Sequence, residues 1–192
     1  MAVTLSTFDM KPGDIAPNFS LPDGFGELHH LNDLAGEKGT LIIFACNHCP
    51  FVIHLVEAIA DFSKEAAAQG ISTIAINSND AENYPQDGPQ EMVKFAADSD
   101  WHFPYLFDES QEVAKAYRAA CTPDFYLFDA DKKLTYAGQF DDSRPKNGSV
   151  PDGNDIRAAL SALLNGESLA EQKPSSGCNI KWIPGNEPNY FG

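Results

Sequence analysis

Leu41-Ile42-Ile43-Phe44-Ala45 contains no polar position, which predicts a short strand covered on both faces. The period then changes. Phe51, Leu55, Ala58, Ile59 and Phe62 fall on one stripe of a helix. Proline is tolerated in a helix only in the first turn, so Pro50 pins the start of this one, and Gly70 ends it. Ile71 to Ile76 is rich in β-branched residues and predicts a second strand. Strand, helix and strand in this order form a right-handed βαβ unit with a parallel pair.

Shorter elements flank the unit. Two prolines and a glycine make Lys11 to Pro17 extended or turning. Asn18 to Leu21 and Glu27 to His30 predict a hairpin around the turn Pro22 to Gly26, and Asn32 or Asp33 opens a helical turn that Gly36 closes. Asn77 to Gly88 is polar and predicts a surface loop. Pro89 to Asp98 reads as a helix burying Met92, Phe95 and Ala96, and Phe103 to Phe107 as an extended piece. Asp108 or Ser110 caps a helix through Arg118. Phe125 to Phe128 and Leu134 to Gly138 form a second hairpin around Asp129 to Lys132, a turn without the remaining ligands of a calcium loop. After the polar loop Asp141 to Gly153, Asp155 caps a final helix through Leu164. The expected organisation is one domain over residues 11–165 and a tail over 166–192 that lies on it without regular structure, anchored by Trp182, Tyr190 and Phe191.

Composition narrows the function. The 192 residues carry 13 basic and 28 acidic side chains, a net charge of −15. That excess argues against nucleic acid and anionic membrane surfaces as partners, because both are recognised through basic residues. The N-terminus has no basic, apolar leader, and no stretch approaches the ~20 apolar residues of a membrane helix, so a cytoplasmic protein is expected. Four cysteines (Cys46, Cys49, Cys121 and Cys178) are too few for a disulfide scaffold at this length. In a reducing compartment a close pair is redox-active or metal-binding more often than structural.

Cys46 and Cys49 stand two residues apart where the buried strand hands over to its helix. Unpaired N–H groups and the helix dipole stabilise an anion there, and a second thiol can donate a hydrogen bond to it. Such surroundings lower a thiol from ~8.5 to roughly 3.5–7.5. His48 lies inside the pair, and a protonated imidazole there favours thiolate over disulfide and a more oxidising couple.

Three stretches together resemble the thioredoxin superfamily, in its redoxin or AhpC/TSA-like branch: Gly13 to Leu21, Leu41 to Pro50, and Thr122-Pro123 before an apolar strand. The resemblance covers about Lys11 to Leu164. It implies an α/β fold, a thioredoxin-like three-layer α/β/α sandwich with a central mixed sheet and an N-terminal β-hairpin extension. It also implies a cis Pro123 facing the cysteine pair. By this resemblance Cys46 is the exposed nucleophile of a thiol-disulfide oxidoreductase, Cys49 resolves the mixed disulfide, and His48, Pro50, Thr122 and Pro123 support them. Pro123 would leave a strand edge open to an extended substrate. The partners implied are a protein or small-molecule disulfide, or a peroxide, with a dithiol reductant and no cofactor.

Two rival functions share these residues. In peroxiredoxins the cysteine before the proline attacks peroxide, which makes Cys49 the peroxidatic candidate, but their arginine just before the later strand is replaced by Thr122-Pro123, and Arg118 lies on a predicted helix. A non-enzymatic soft-metal carrier would use both cysteines and one of His29, His30, His54 or His102. Cys121 and Cys178 are candidate auxiliary thiols, either relaying electrons to the main pair or pairing with each other.

Overall fold

The computed structural model describes residues 3–169 and 171–191. Its first half runs β1 (Thr4–Leu5), β2 (Ser20–Pro22), β3 (Leu28–His30), α1 (Leu31–Leu34), β4 (Gly39–Phe44), α2 (Pro50–Ala67) and β5 (Ile71–Asn77). A 3-10 turn (Pro85–Asp87), α3 (Pro89–Asp98), β6 (Tyr105–Phe107), α4 (Glu112–Ala116), β7 (Cys121–Thr122), β8 (Asp124–Asp129), β9 (Leu134–Gly138), α5 (Asn154–Asn165) and β10 (Ser176–Asn179) complete it.

The apolar run becomes β4, the middle of a mixed sheet ordered β6-β5-β4-β8-β9. β4 pairs parallel with β5 and antiparallel with β8, so its backbone groups are satisfied on both sides. Side chains alternate across it. Leu41 and Ile43 enter a core with Val52, Leu55 and Ile59 of α2, Met92 of α3 and Ile156 of α5. Ile42 and Phe44 enter a second core with Leu31, Ala114 of α4, Tyr117 and the N-terminal Phe19. The sheet thus lies between two helical layers. Helix α2 begins at Pro50 in its first turn, and Gly70 takes the left-handed φ of +88° that reverses the chain into β5. Among the described residues, no helix is long and apolar enough to cross a membrane.

Several local expectations shift. The N-terminal hairpin pairs Ser20–Pro22 with Leu28–His30 rather than starting at Asn18. Helix α4 stops at Ala116, because Gln111 at its N-cap and Arg118 just beyond both take positive φ, and two left-handed residues cannot extend a helix. Gly153, not Asp155, is the N-cap of α5; the Asp141 carboxylate accepts the Gly153 and Asp152 amides. The tail is not irregular throughout. β10 joins β1 and β7 in a three-stranded sheet, and Ile180 and Trp182 are buried. Tyr190 packs edge-on to Trp182, whereas Phe191 is exposed.

Two buried polar side chains carry stability. Tyr117 is fully enclosed and donates to the Pro17 carbonyl at 2.7 Å, tying the N-terminal segment to the second core. Tyr117→Phe is expected to cost about 1 kcal/mol in urea unfolding. Asp124 follows Pro123 and is wholly buried, which pushes its carboxyl up to about 7 despite a 2.9 Å bond from Tyr126. Its folded pKa exceeds the unfolded value, so its stabilisation is complete below about pH 4 and is lost as pH rises through about 7. Asp124→Asn should therefore gain on the wild type, by roughly 4 kcal/mol at most, as unfolding is followed from pH 4 to 8. Parallel profiles would contradict this.

Candidate active site

Cys46 leaves the end of β4, and Cys49 is the N-cap of α2. The expectation of an exposed Cys46 is corrected: Cys46 is 1% and Cys49 0% accessible, because β7, β10 and the segment after β5 close over them. Thr122 is their common neighbour. Its hydroxyl lies 3.4 Å from Cys46 Sγ, and its carbonyl lies 3.1 Å from Cys49 Sγ, where it accepts the bond of the neutral thiol. The Thr122–Pro123 peptide bond is cis.

The two sulfurs are not equivalent. Hydrogen bonds from Cys178 and then from Cys46 pull Cys49 well below the usual thiol range, against the cost of its burial. The Thr122 side chain helps, and so does the Val52 amide, although that amide closes no full capping bond. Cys46 moves the other way. Its bond to Cys49, its burial and the nearby Asp87 carboxylate all oppose a second negative charge. The pair therefore surrenders one proton easily and holds the other, with the charge centred on Cys49 at the helix N-terminus. Cys46 lies nearer Asp87, and Cys49 collects the donors.

The residue that composition and spacing did not single out is Asp87. Asn77 to Gly88 is a surface loop only at its middle, since Asn77, Ser78, Asn79, Asp80 and Asp87 are buried. Asp87, 0% accessible, accepts four hydrogen bonds: from the Asn47 amide at 2.9 Å, the His48 amide at 3.3 Å, His48 Nδ1 at 2.6 Å and Asn79 Nδ2 at 2.8 Å. Two of these hold the backbone between the cysteines. A carboxylate only accepts, so Nδ1 of His48 carries a proton. Tyr84 stacks on the His48 ring, with centroids 5.8 Å apart and planes 3° apart, and Tyr105 donates to Asn47 Oδ1 at 3.0 Å. The available signal was the run Asn77-Ser78-Asn79-Asp80, which begins at the last residue of β5. It lies at the carboxyl ends of the parallel strands, where α/β sheets place their sites.

Pro50 is the exposed first residue of α2. The edge beside Pro123, expected to be open to substrate, is occupied by β10, whose Cys178 and Asn179 pair with Thr122 and Cys121. Residues directly opposite across a ladder share a face, so Cys178 lies on the Thr122 side with the cysteine pair and Cys121 on the other. Cys121 bonds instead to the Pro123 carbonyl at 3.8 Å. The ladder thus sends the two auxiliary thiols to opposite faces. Arg118 packs over Tyr190, with its guanidinium carbon 5.5 Å from the ring centroid, and Arg144 is held by Gln139 and the Asp141 and Ser143 carbonyls. Neither is among the strongest influences on Cys49.

The metal-carrier histidines are engaged elsewhere. His29 meets Asp23 at 3.2 Å, His102 meets Asp100 at 2.6 Å, His54 meets Ser143 at 3.0 Å, and His30 is exposed. Among the described residues, the cysteine-containing cluster of ligand-type atoms is Cys46, His48 and Asp87. Its carboxylate is already saturated by the hydrogen bonds above.

The family model described as the AhpC/TSA family matches residues 12–137. Peroxiredoxin Bcp of Escherichia coli K12 is 27% identical over 150 residues, spanning 72% of this chain and 90% of the relative. An uncharacterized conserved protein from Geobacillus kaustophilus, known from its crystal structure, is 50% identical with a TM-score of 0.92 over 96% of this chain and 98% of that one. Peroxidoxin BcpB from Mycobacterium tuberculosis, at 21% identity and a TM-score of 0.62 over 83% of this chain and 99% of that one, shares the fold. The protein is an oxidoreductase with the thioredoxin-like architecture, and the chain belongs to the AhpC/TSA family.

Proposed function

We propose that the chain catalyses dithiol–disulfide exchange by cycling Cys46 and Cys49 between two thiols and one disulfide. The observation that carries this is the placement of two adjoining sulfurs at the N-terminus of α2, both in contact with Thr122 and next to a cis Pro123. In the reductive direction a sulfur of the pair attacks one sulfur of a substrate disulfide, and the substrate's other sulfur leaves as thiolate. The second cysteine then attacks the mixed disulfide and releases the remaining half, so the substrate gains two electrons and the pair loses two. A dithiol reductant reverses the change in the enzyme. Cys46 begins the attack as its proton passes to Cys49, which hands that proton on to the departing sulfur. Because β10 fills the substrate edge and both sulfurs are buried, a small disulfide fits the site better than a folded protein.

A thiol-dependent peroxidase is the second reading, and the position of the charge favours it. Cys49 is both the more ionised sulfur and the one that precedes the proline, peroxide is small enough for an enclosed site, and the curated relative is a peroxiredoxin. Against it, the strongest donors to Cys49 are the Cys178 and Cys46 thiols, the Thr122 side chain and the Val52 amide rather than a guanidinium. Both readings take a thiol reductant and neither takes a cofactor.

Turnover of an aromatic disulfide and of hydrogen peroxide, each with dithiothreitol as reductant, separates the readings. Exchange predicts disulfide turnover that falls to the uncatalysed rate in both Cys46→Ser and Cys49→Ser. Peroxidase chemistry predicts catalytic loss of peroxide that is abolished by Cys49→Ser, whereas Cys46→Ser keeps the initial reaction with peroxide. A wild type inert toward both substrates would overturn the proposal. The clamp on the Cys46–Cys49 loop is tested by Asp87→Asn, which places an amide N–H where an acceptor is needed. It should lose about 2 kcal/mol of stability in urea, whereas a loss under ~0.5 kcal/mol would show the carboxylate to be dispensable.

A further inference from the structure

Antiparallel pairing of β10 with β7 puts Cys178 opposite Thr122, the residue that touches both sulfurs of the pair. Cys178 belongs to the same buried cluster as Cys46 and Cys49, and it hydrogen-bonds to Cys49. The close approach is built into the chain. A Cβ on Gly177 would stand 2.0 Å from the Thr122 carbonyl oxygen, so only glycine lets β10 lie this near. β1 holds the far side of β10 through Thr4 and Leu5, which pair with Gly177 and Ser176. The strand therefore lies along the edge next to Pro123, where an extended substrate would otherwise add.

We propose that Cys178 is the third thiol of the redox centre and takes over the disulfide from the Cys46–Cys49 pair. The step rests on the dithiol cycle proposed above. In the oxidised centre the Cys178 thiolate attacks Cys49 Sγ. The Cys46–Cys49 bond breaks, a Cys49–Cys178 bond forms, and Cys46 leaves with the electron pair. The proton that Cys178 gives up ends on Cys46, so the exchange involves no net oxidation and needs no other reactant. In the reduced centre Cys178 is held protonated, chiefly by its bond to the charged Cys49. Oxidation of the pair removes that charge and frees Cys178 to react. Cys46 then emerges as a thiol while the oxidising equivalents are stored under β10. Cys121, on the opposite face, takes no part.

The test is disulfide mapping after oxidation with diamide, acid quench, alkylation and non-reducing digestion. Thermal melts are run on every variant to show that it folds. Cys46→Ser is expected to yield a Cys49–Cys178 disulfide in most molecules. Wild type is expected to yield both Cys46–Cys49 and Cys49–Cys178 linkages, with Cys46 alkylated in the second. Cys178→Ser is expected to stop at Cys46–Cys49. If the Cys46–Cys49 linkage forms in Cys178→Ser but Cys178 remains alkylatable in Cys46→Ser, the third-thiol proposal is overturned and the dithiol cycle stands. If Cys178→Ser forms no Cys46–Cys49 linkage, the dithiol cycle fails and takes the exchange step with it.

Discussion

An ionised sulfur inside a protein survives only when nearby donors offset the hydration it has lost. The architecture around Cys49 meets that demand. Helix α2 contributes its N-terminus, Cys46 and Cys178 contribute thiol protons, and Thr122 contributes its side chain. Thr122 can do so because β7 is locked between Pro123 and β10, and β10 is locked in turn by β1. A two-residue strand at the N-terminus thus bears on a sulfur in the first half of the fold, through one small sheet whose order is β1-β10-β7.

The difference between the two cysteines has an electrostatic source. The chain is acidic overall, at −15, yet its surface carboxylates matter little to a site this enclosed. The one that matters is Asp87. It braces the loop between the cysteines through two backbone amides, and its charge raises the cost of ionising Cys46. One side chain therefore fixes the shape of the loop and biases where the charge sits. His48, bonded to Asp87 and stacked on Tyr84, is part of that brace.

Much of the fold was legible because it follows from local pattern. The unbroken apolar run of β4, the stripe of α2 and the position of Pro50 each have one reading, and βαβ handedness then sets the parallel pair. The cysteine pair at the strand–helix junction was visible for the same reason. What escaped depends on contacts far apart in sequence. Little near Asp87 marks it as buried, since three of its four hydrogen bonds come from Asn47 and His48, 40 and 39 residues away. Nor does a Gly-Cys-Asn segment in a proline-rich tail look like a strand. β10 exists because β1 and β7 offer it pairing on both sides. The burial of Cys46 was missed on the same account, for the covering strand comes from the tail.

Thiolate absorbance near 240 nm, followed against pH in the reduced wild type and in Cys49→Ser, tests the central claim most directly. The structure predicts one thiolate per chain persisting below about pH 6, and its disappearance in Cys49→Ser. A first thiolate that titrates in the wild type near ~8.5, as an ordinary cysteine does, would contradict it.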